Sequence, residues 1–356
     1  MQLTARAAGS TSSARVVVSR AVASSDSFVP LRWLKSGHLQ TLGAAAPLFT
    51  RVPEVPPAQR CAVPIAGGSL HGALWMHARR APGVVVAHGI GGTGASPSIV
   101  RGASALFRAG YHVLCFDMRG AGESLEDVPS LYHAGLTADL DAALTWLASR
   151  PRVDGVCLVG FSGGGSMALK LAGEWGEAAP PHVRCVASVS APLDYTLVAP
   201  WMEGRGRLPY RLHVLGGLAD GAKKFAERHP SRARYKAHEV KRLGSLRQYD
   251  DTVIVPMHGF ASVEDYRAQA SSGPWLPRVR VPSLLVHAED DPMVPMRTLT
   301  PWLSAASPAV DVRLSRHGGH VGWLSGLDAQ SWLGGWAVRQ VLSHLRAHAP
   351  AREDAS

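Results

Sequence analysis

The sequence predicts an α/β protein built on one mostly parallel eight-stranded sheet flanked by helices, and three observations carry that reading. Short apolar runs rich in β-branched residues recur at 61–65, 70–76, 84–88, 111–116, 156–160, 184–190, 283–288 and 310–314, each of strand length. After the third run they are separated by helix-length segments, the alternation that builds parallel sheets. The runs VVVAH (84–88) and VCLVG (156–160) are continuously apolar, as in strands buried on both faces. With 356 residues, 46% hydrophobic and 18% charged, the chain has the material for one large core carrying an insertion.

Taken in order, residues 1–27 stand outside the fold. Their stretch MQLTARAAGSTSSARVVVSRAVASS holds Arg6, Arg15 and Arg20 and no acidic residue before Asp26, which reads either as a disordered leader or as an organelle transit peptide. The first two runs flank AGGS (66–69), a glycine turn suited to a leading antiparallel hairpin. Apolar residues at helical spacing predict helices over 97–109, 136–149, 165–175 and 332–347. Between residues 195 and 278 the strand rhythm stops in a basic stretch punctuated by Pro and Gly, expected to be a helical cap inserted between core segments 28–194 and 279–348. Residues 349–356 are expected to be a disordered tail.

Composition excludes several classes of function. Every strongly apolar run is broken within a few positions by Gly, Pro, His or a charge, so no transmembrane helix is expected. Cys61, Cys115, Cys157 and Cys185 form no C-x-x-C pair; they read as small hydrophobes in a reducing compartment, not as a metal knot. The net charge of +10 is concentrated where residues 222–247 set nine Lys/Arg against Glu227 and Glu239. With no recognition motif beside it, this basic run argues against nucleic acid. Lys223, Lys224, Arg228, Arg232 and Arg234 could meet an anionic lipid surface, but a solvated helix face is the stronger account. A cytoplasmic location follows, or an organelle such as a plastid if the leader is a transit peptide.

The chemistry centres on GFSGG (160–164). A strand (VCLVG), a sharp turn (Phe161-Ser162-Gly163) and a helix opening at Gly165 are the three parts of a nucleophile elbow, whose small residues avoid collision with sheet and helix. A serine hydroxyl needs a histidine to take its proton and a carboxylate to orient that histidine. SLLVHAEDDPMVP (283–295) offers Asp291, with Asp290 as the alternative, and VRLSRHGGHVGW (312–323) offers His320. His317 and His320 sit three apart like a metal pair, but the Gly-Gly between them gives no helix to align them and no third ligand is evident. No cofactor is required. The glycine loop of VVVAHGIGG (84–92) is placed to supply the Ile90 amide, which with that of Gly163 would bind an oxyanion.

With these pieces in place, the chain resembles the α/β-hydrolase superfamily and, within it, the YheT-like, embryogenesis-associated branch. The branch marks are WLKSGHLQT (33–41), YHAGLTADL (132–140), HAEDDPMVP and HGGHVGWL (317–324), supported more weakly by RGAGES (119–124). The resemblance implies an α/β-hydrolase fold with Ser162 as nucleophile, Asp291 as acid and His320 as base. It departs from the branch in reading HGIGG for HGLTG and GFSGGG for GFSLGG, so that Gly163 replaces a frequent leucine and should enlarge the space beside the nucleophile. His38, Tyr132, His133 and Asp139 read as structural. The function implied is a serine hydrolase cleaving carboxylic esters with an apolar acyl group. A thioesterase or acyltransferase using the same triad, or a non-catalytic binding protein, is the alternative. Trp201, Met202, Leu208, Tyr210, Leu212 and Val214 in the early cap should either line the acyl pocket or dock the cap.

Overall fold

The computed structural model describes residues 28–45, 56–326 and 335–351; the leader 1–27 lies outside them. All eight apolar runs fold as strands: β1 (Gln59–Ile65), β2 (Gly68–Trp75), β3 (Ala81–Ala87), β4 (His112–Phe116), β5 (Val153–Phe161), β6 (Val183–Val189), β7 (Ser283–Ala288) and β8 (Val310–Ser315). They form one sheet in the order β1-β2-β4-β3-β5-β6-β7-β8. β1 and β2 are the expected antiparallel hairpin, closed by a turn in which Gly67 has φ 82. β2 also runs antiparallel to β4, and from β4 to β8 every pairing is parallel.

The helices cover both faces, as parallel strands with two apolar faces require. Among the described residues, the helices of eight residues or longer are α1 (Gly37–Ala45), α2 (Pro97–Arg108), α3 (Ala138–Ala148), α4 (Gly163–Trp175), α5 (Tyr195–Met202), α6 (Leu208–Arg228), α7 (Val263–Ala270) and α8 (Trp336–His348). On one face Ile99 and Leu106 of α2 and Val341 and Leu345 of α8 pack with Val84, Val86, Cys157 and Val159. On the other, Leu140 and Leu144 of α3 and Met167 and Leu171 of α4 pack with Val85 and Leu158. The alternation of Val84 and Val86 against Val85 is the two-residue pleat of a strand buried on both sides.

Two differences from expectation have local causes. The GHLQT segment forms α1, which its weak amphipathic pattern does not announce; Gln40 and Thr41 fix it through polar contacts to distant chain. The packed chain continues past 348, because Ala349 is buried and its carbonyl accepts from the Tyr111 hydroxyl at 3.1 Å. Residues 327–334, into which the expected last helix reaches, lie outside the described residues.

α4 meets the sheet through glycine. A Cβ on Gly164 would stand 2.5 Å from the His88 carbonyl oxygen and 2.6 Å from that of Ala87, and one on Gly160 would stand 2.3 Å from the Gly164 oxygen. Backbone cannot yield to such a contact as a flexible side chain can. Gly164→Ala is therefore expected to lower stability by about 1–3 kcal/mol through overpacking. Gly206→Ala, where no atom lies within 4 Å of the added Cβ, should change it by less than about 0.5 kcal/mol. Urea denaturation of the two variants beside the parent checks the contrast.

Candidate active site

Ser162 follows β5 and caps α4 with φ 52 and ψ −122, a positive-φ conformation rare for a residue with a Cβ. Such strain costs on the order of 1–3 kcal/mol and persists only where neighbours impose it. Here the Ser162 amide donates to the Val189 carbonyl at 2.8 Å, and its carbonyl accepts from Ser166 at the start of α4. The side chain is left free to point off the sheet's carboxyl edge.

The loops after β7 and β8 bring two more side chains to it. His320 Nε2 lies 2.9 Å from Ser162 Oγ, and His320 Nδ1 lies 2.8 Å from Asp291 Oδ2. The Asp291 side chain is fully buried, and its other oxygen accepts from the amides of Met293 and Val294 at 2.8 and 2.9 Å. Burial alone would push this carboxyl up, but His320, His287 and the Val294 amide outweigh it and hold Asp291 below the usual carboxylate range. Asp290, the alternative, turns away: it accepts from the Gly319 amide at 2.9 Å and faces His317 at 3.4 Å. His317 and His320 thus serve different carboxylates.

Beside Ser162, the loop after β3 brings Ile90 close to Gly163: a Cβ on Gly163 would lie 3.2 Å from the Ile90 nitrogen. The Gly163 amide opens α4, where no intrahelical acceptor exists, and among the described residues the Ile90 amide has no backbone acceptor. The loop is held from both sides. Buried His88 receives the Met118 amide at 3.1 Å, and the Tyr132 hydroxyl receives the Gly91 amide at 2.7 Å. Burial pushes the Tyr132 phenol up to about 12, which keeps it protonated at neutral pH. The space expected to open at Gly163 is filled, since the added Cβ would meet Ile90 Cγ1 at 2.4 Å.

A pocket leads away from this point, lined by Ser162, His320 and Ile90 together with Val198, Ala199, Met202, Val214, Leu218, Tyr249, Ile254, Tyr266 and Met293. Of the six early cap residues, Met202 and Val214 line it. Trp201 instead docks, donating to the Pro292 carbonyl at 3.0 Å between the guanidinium groups of Arg207 and Arg297. Tyr210 bonds His38 Nδ1 at 2.7 Å, while Leu208 and Leu212 stay 43% and 54% exposed.

Residues 82–327 match the model of the alpha/beta hydrolase fold family. The chain belongs to that family. Over 318 residues it is 31% identical to "Putative esterase YheT" of Escherichia coli (strain K12), covering 87% of this chain and 91% of that one. It is also 28% identical to the monoacylglycerol lipase of Saccharomyces cerevisiae, over 70% of this chain and 57% of that enzyme. The embryogenesis-associated protein EMB8 of Picea glauca is 27% identical over 62% of this chain and 48% of its own. These relatives place the chain in the YheT-like branch. The fold is also that of the Pyrococcus furiosus esterase Pf2001, with a TM-score of 0.54 at 16% identity over 84% of this chain and 97% of that one.

The branch marks of this α/β-hydrolase now have physical roles. Thr41 of GHLQT accepts the His320 amide at 2.8 Å and donates to the Gly37 carbonyl at 2.7 Å. Gln40 holds Leu324 on both sides, donating to its carbonyl at 3.1 Å and accepting its amide at 2.6 Å. The His loop needs such support, because Val321 and Trp323 both have positive φ, at 54 and 51. In YHAGLTADL, Tyr132 steadies the glycine loop and lines the pocket, as His133 does. Asp139 instead forms a buried two-pronged ion pair with Arg119 of RGAGES. A histidine loop with adjacent glycines was the available hint that a distant segment must hold it, but no spacing in the sequence names Thr41. Thr41→Val leaves the His320 amide unpaired. We expect it to lower stability by about 1–3 kcal/mol and, with His320 as the expected base, kcat by about tenfold or more with KM little changed, because a small displacement of such a group is costly. Thr41→Ser should restore kcat; steady-state kinetics on a simple ester checks both.

Proposed function

We propose that this carboxylic ester hydrolase works through an acyl-enzyme on Ser162, with His320 as base, Asp291 as the acid that orients it, and the Ile90 and Gly163 amides as the oxyanion hole. The observation that carries this reading is the continuous hydrogen-bonded chain from Ser162 Oγ through His320 to buried Asp291. Ser162 Oγ would attack the ester carbonyl carbon while its proton passes to His320 Nε2. The carbonyl oxygen, now negative, would sit against the two amides. When the tetrahedral intermediate collapses, the alcohol leaves with the proton from Nε2. Water then gives a proton to Nε2 and attacks the acyl carbon, releasing the acid and Ser162. Throughout, Asp291 stabilises the imidazolium without itself taking the proton.

The aliphatic and aromatic lining supports an apolar acyl group as the occupant of the pocket. The segment 195–278 supplies most of that lining, in keeping with a cap that sets acyl selectivity. The same triad chemistry would act on thioesters or transfer acyl groups, and relatives named esterase and lipase favour oxygen esters. A non-catalytic binding protein would have no need of the buried, charged Asp291. Four of the nine basic residues in the run 222–247 are ion-paired, Lys223 with Glu227, Lys224 with Asp220, Arg228 with Glu126 and Arg247 with Glu264, which supports a solvated surface over a lipid-binding one for that part of the cap. Among the described residues no helix is long and apolar enough to cross a membrane.

Ser162→Ala and His320→Ala should each abolish ester hydrolysis with circular dichroism unchanged. Asp291→Asn should cost about 10⁴-fold in kcat, since the amide fixes the wrong imidazole tautomer. Retention of activity by either Ser162→Ala or His320→Ala would overturn the proposal. Val214→Phe should shift the optimum towards shorter acyl chains in a p-nitrophenyl ester series, whereas Leu212→Ala, at an exposed site, should leave the optimum where it was.

A further inference from the structure

The pocket contains one feature that an apolar acyl chain does not need. Asp250, the first residue of a π-helical turn spanning Asp250–Ile254, and Arg267 of α7 both line it among the aliphatic and aromatic side chains. π-turns recur at functional sites, where they redirect side chains out of the regular helical register. Arg267 is 6% exposed. A buried ion pair of this kind adds little net stability over apolar residues of the same volume, so tying α7 to the π-turn does not by itself account for it.

The pair is lopsided. Arg267 Nε and Nη2 both reach the same oxygen, Asp250 Oδ2, at 2.9 and 2.7 Å. Among the described residues, no hydrogen bond reaches Asp250 Oδ1 or Arg267 Nη1, and Arg267 Nη2, although 2.7 Å from Asp250 Oδ2, is a buried donor without a hydrogen-bond partner. An acceptor on Asp250 and a donor on Arg267, side chains joined at 2.7 Å, therefore both belong to the lining of the pocket that opens at Ser162. An alkyl chain laid against them would strip their water and return nothing. A carboxylate would meet the repulsion of Asp250, and an ammonium that of Arg267. A group that both donates and accepts, without charge, satisfies the two atoms at once.

We propose that Asp250 and Arg267 form a polar subsite for an uncharged hydroxyl or carboxamide group carried on the substrate's acyl chain. The native substrate class is then a functionalised acyl ester and not a plain alkanoate. This rests on the reading that Ser162 is acylated and that the pocket holds the acyl chain.

The test compares p-nitrophenyl esters of ω-hydroxy acids and ω-carboxamido acids with matched alkanoates across a graded series of chain lengths, using the full-length protein. At one chain length the hydroxyl or carboxamide ester should exceed its alkanoate in kcat/KM by about tenfold or more, the range of a hydrogen bond to a charged group. The double variant Asp250→Leu/Arg267→Met, which keeps the volume, should reverse that preference in favour of the alkanoate. If the double variant does not fold, Arg267→Lys, which keeps the charge and removes the planar fork, should reduce the preference. Equal or poorer use of the polar esters at every length by the parent protein would overturn the proposal, as would a preference unchanged in the variant. Preference for ω-carboxylate esters would also overturn it, since Arg267 alone would then set selectivity. In any of these outcomes, alkanoate hydrolysis that still depends on Ser162 leaves the acyl-enzyme reading standing.

Discussion

The structure depends on one close contact, the seating of the first turn of α4 against the end of β3. Gly164 rests on the His88 and Ala87 carbonyls, and Gly165 on Ser188 of β6 and the Gly160 carbonyl. That approach forces the chain to reverse at Ser162, so the serine accepts a positive-φ backbone that it would otherwise avoid. The same contact brings the Gly163 amide beside the Ile90 amide. The positions of the proposed nucleophile and of the proposed oxyanion amides are thus consequences of one packing event.

A second layer of contacts holds the loops that the sheet itself does not fix. α1 precedes β1 in the chain, yet it carries the hydroxyl that anchors the His320 backbone. Gly319 is glycine because a Cβ there would stand 2.3 Å from the Gly37 carbonyl oxygen. α6 is pressed equally close to the opposite loop, with Gly217 so near Gly91 that its Cβ would stand 2.0 Å from the Gly91 oxygen. His38 of α1 reaches Tyr210 of α6. The proposed base, the proposed oxyanion loop and the pocket wall are therefore joined through two helices, which ties the cap to the geometry of the proposed site as well as to the pocket.

Much of this was legible in the sequence. Strands buried on two faces leave continuous apolar runs, and the turn at Ser162 leaves a glycine signature because only glycine tolerates backbone at such range. The sequence favours Asp291 over Asp290, but what holds it is visible only in three dimensions: adjacent residues in a turn point in different directions, and the Met293 and Val294 amides donate to Asp291 only once the turn is folded. The opening expected at Gly163 failed for a similar reason, since Ile90, remote in sequence, fills it. Thr41 and Gln40 act through contacts across long stretches of chain, and Asp250 and Arg267 meet across 17 residues that include the π-turn and a change of helix. No local period or spacing marks them. The Tyr132 hydroxyl escaped for want of a partner, because nothing in the sequence links it to the Gly91 amide 41 residues away.

The central claim is that one side chain, Ser162, is covalently acylated in the reaction. Trapping the protein with a p-nitrophenyl alkylphosphonate, followed by intact mass and peptide mapping, tests it most directly. The account predicts a single stoichiometric adduct on Ser162, formed in step with loss of ester hydrolysis. An adduct on another residue, or full hydrolysis surviving complete modification of Ser162, would contradict it.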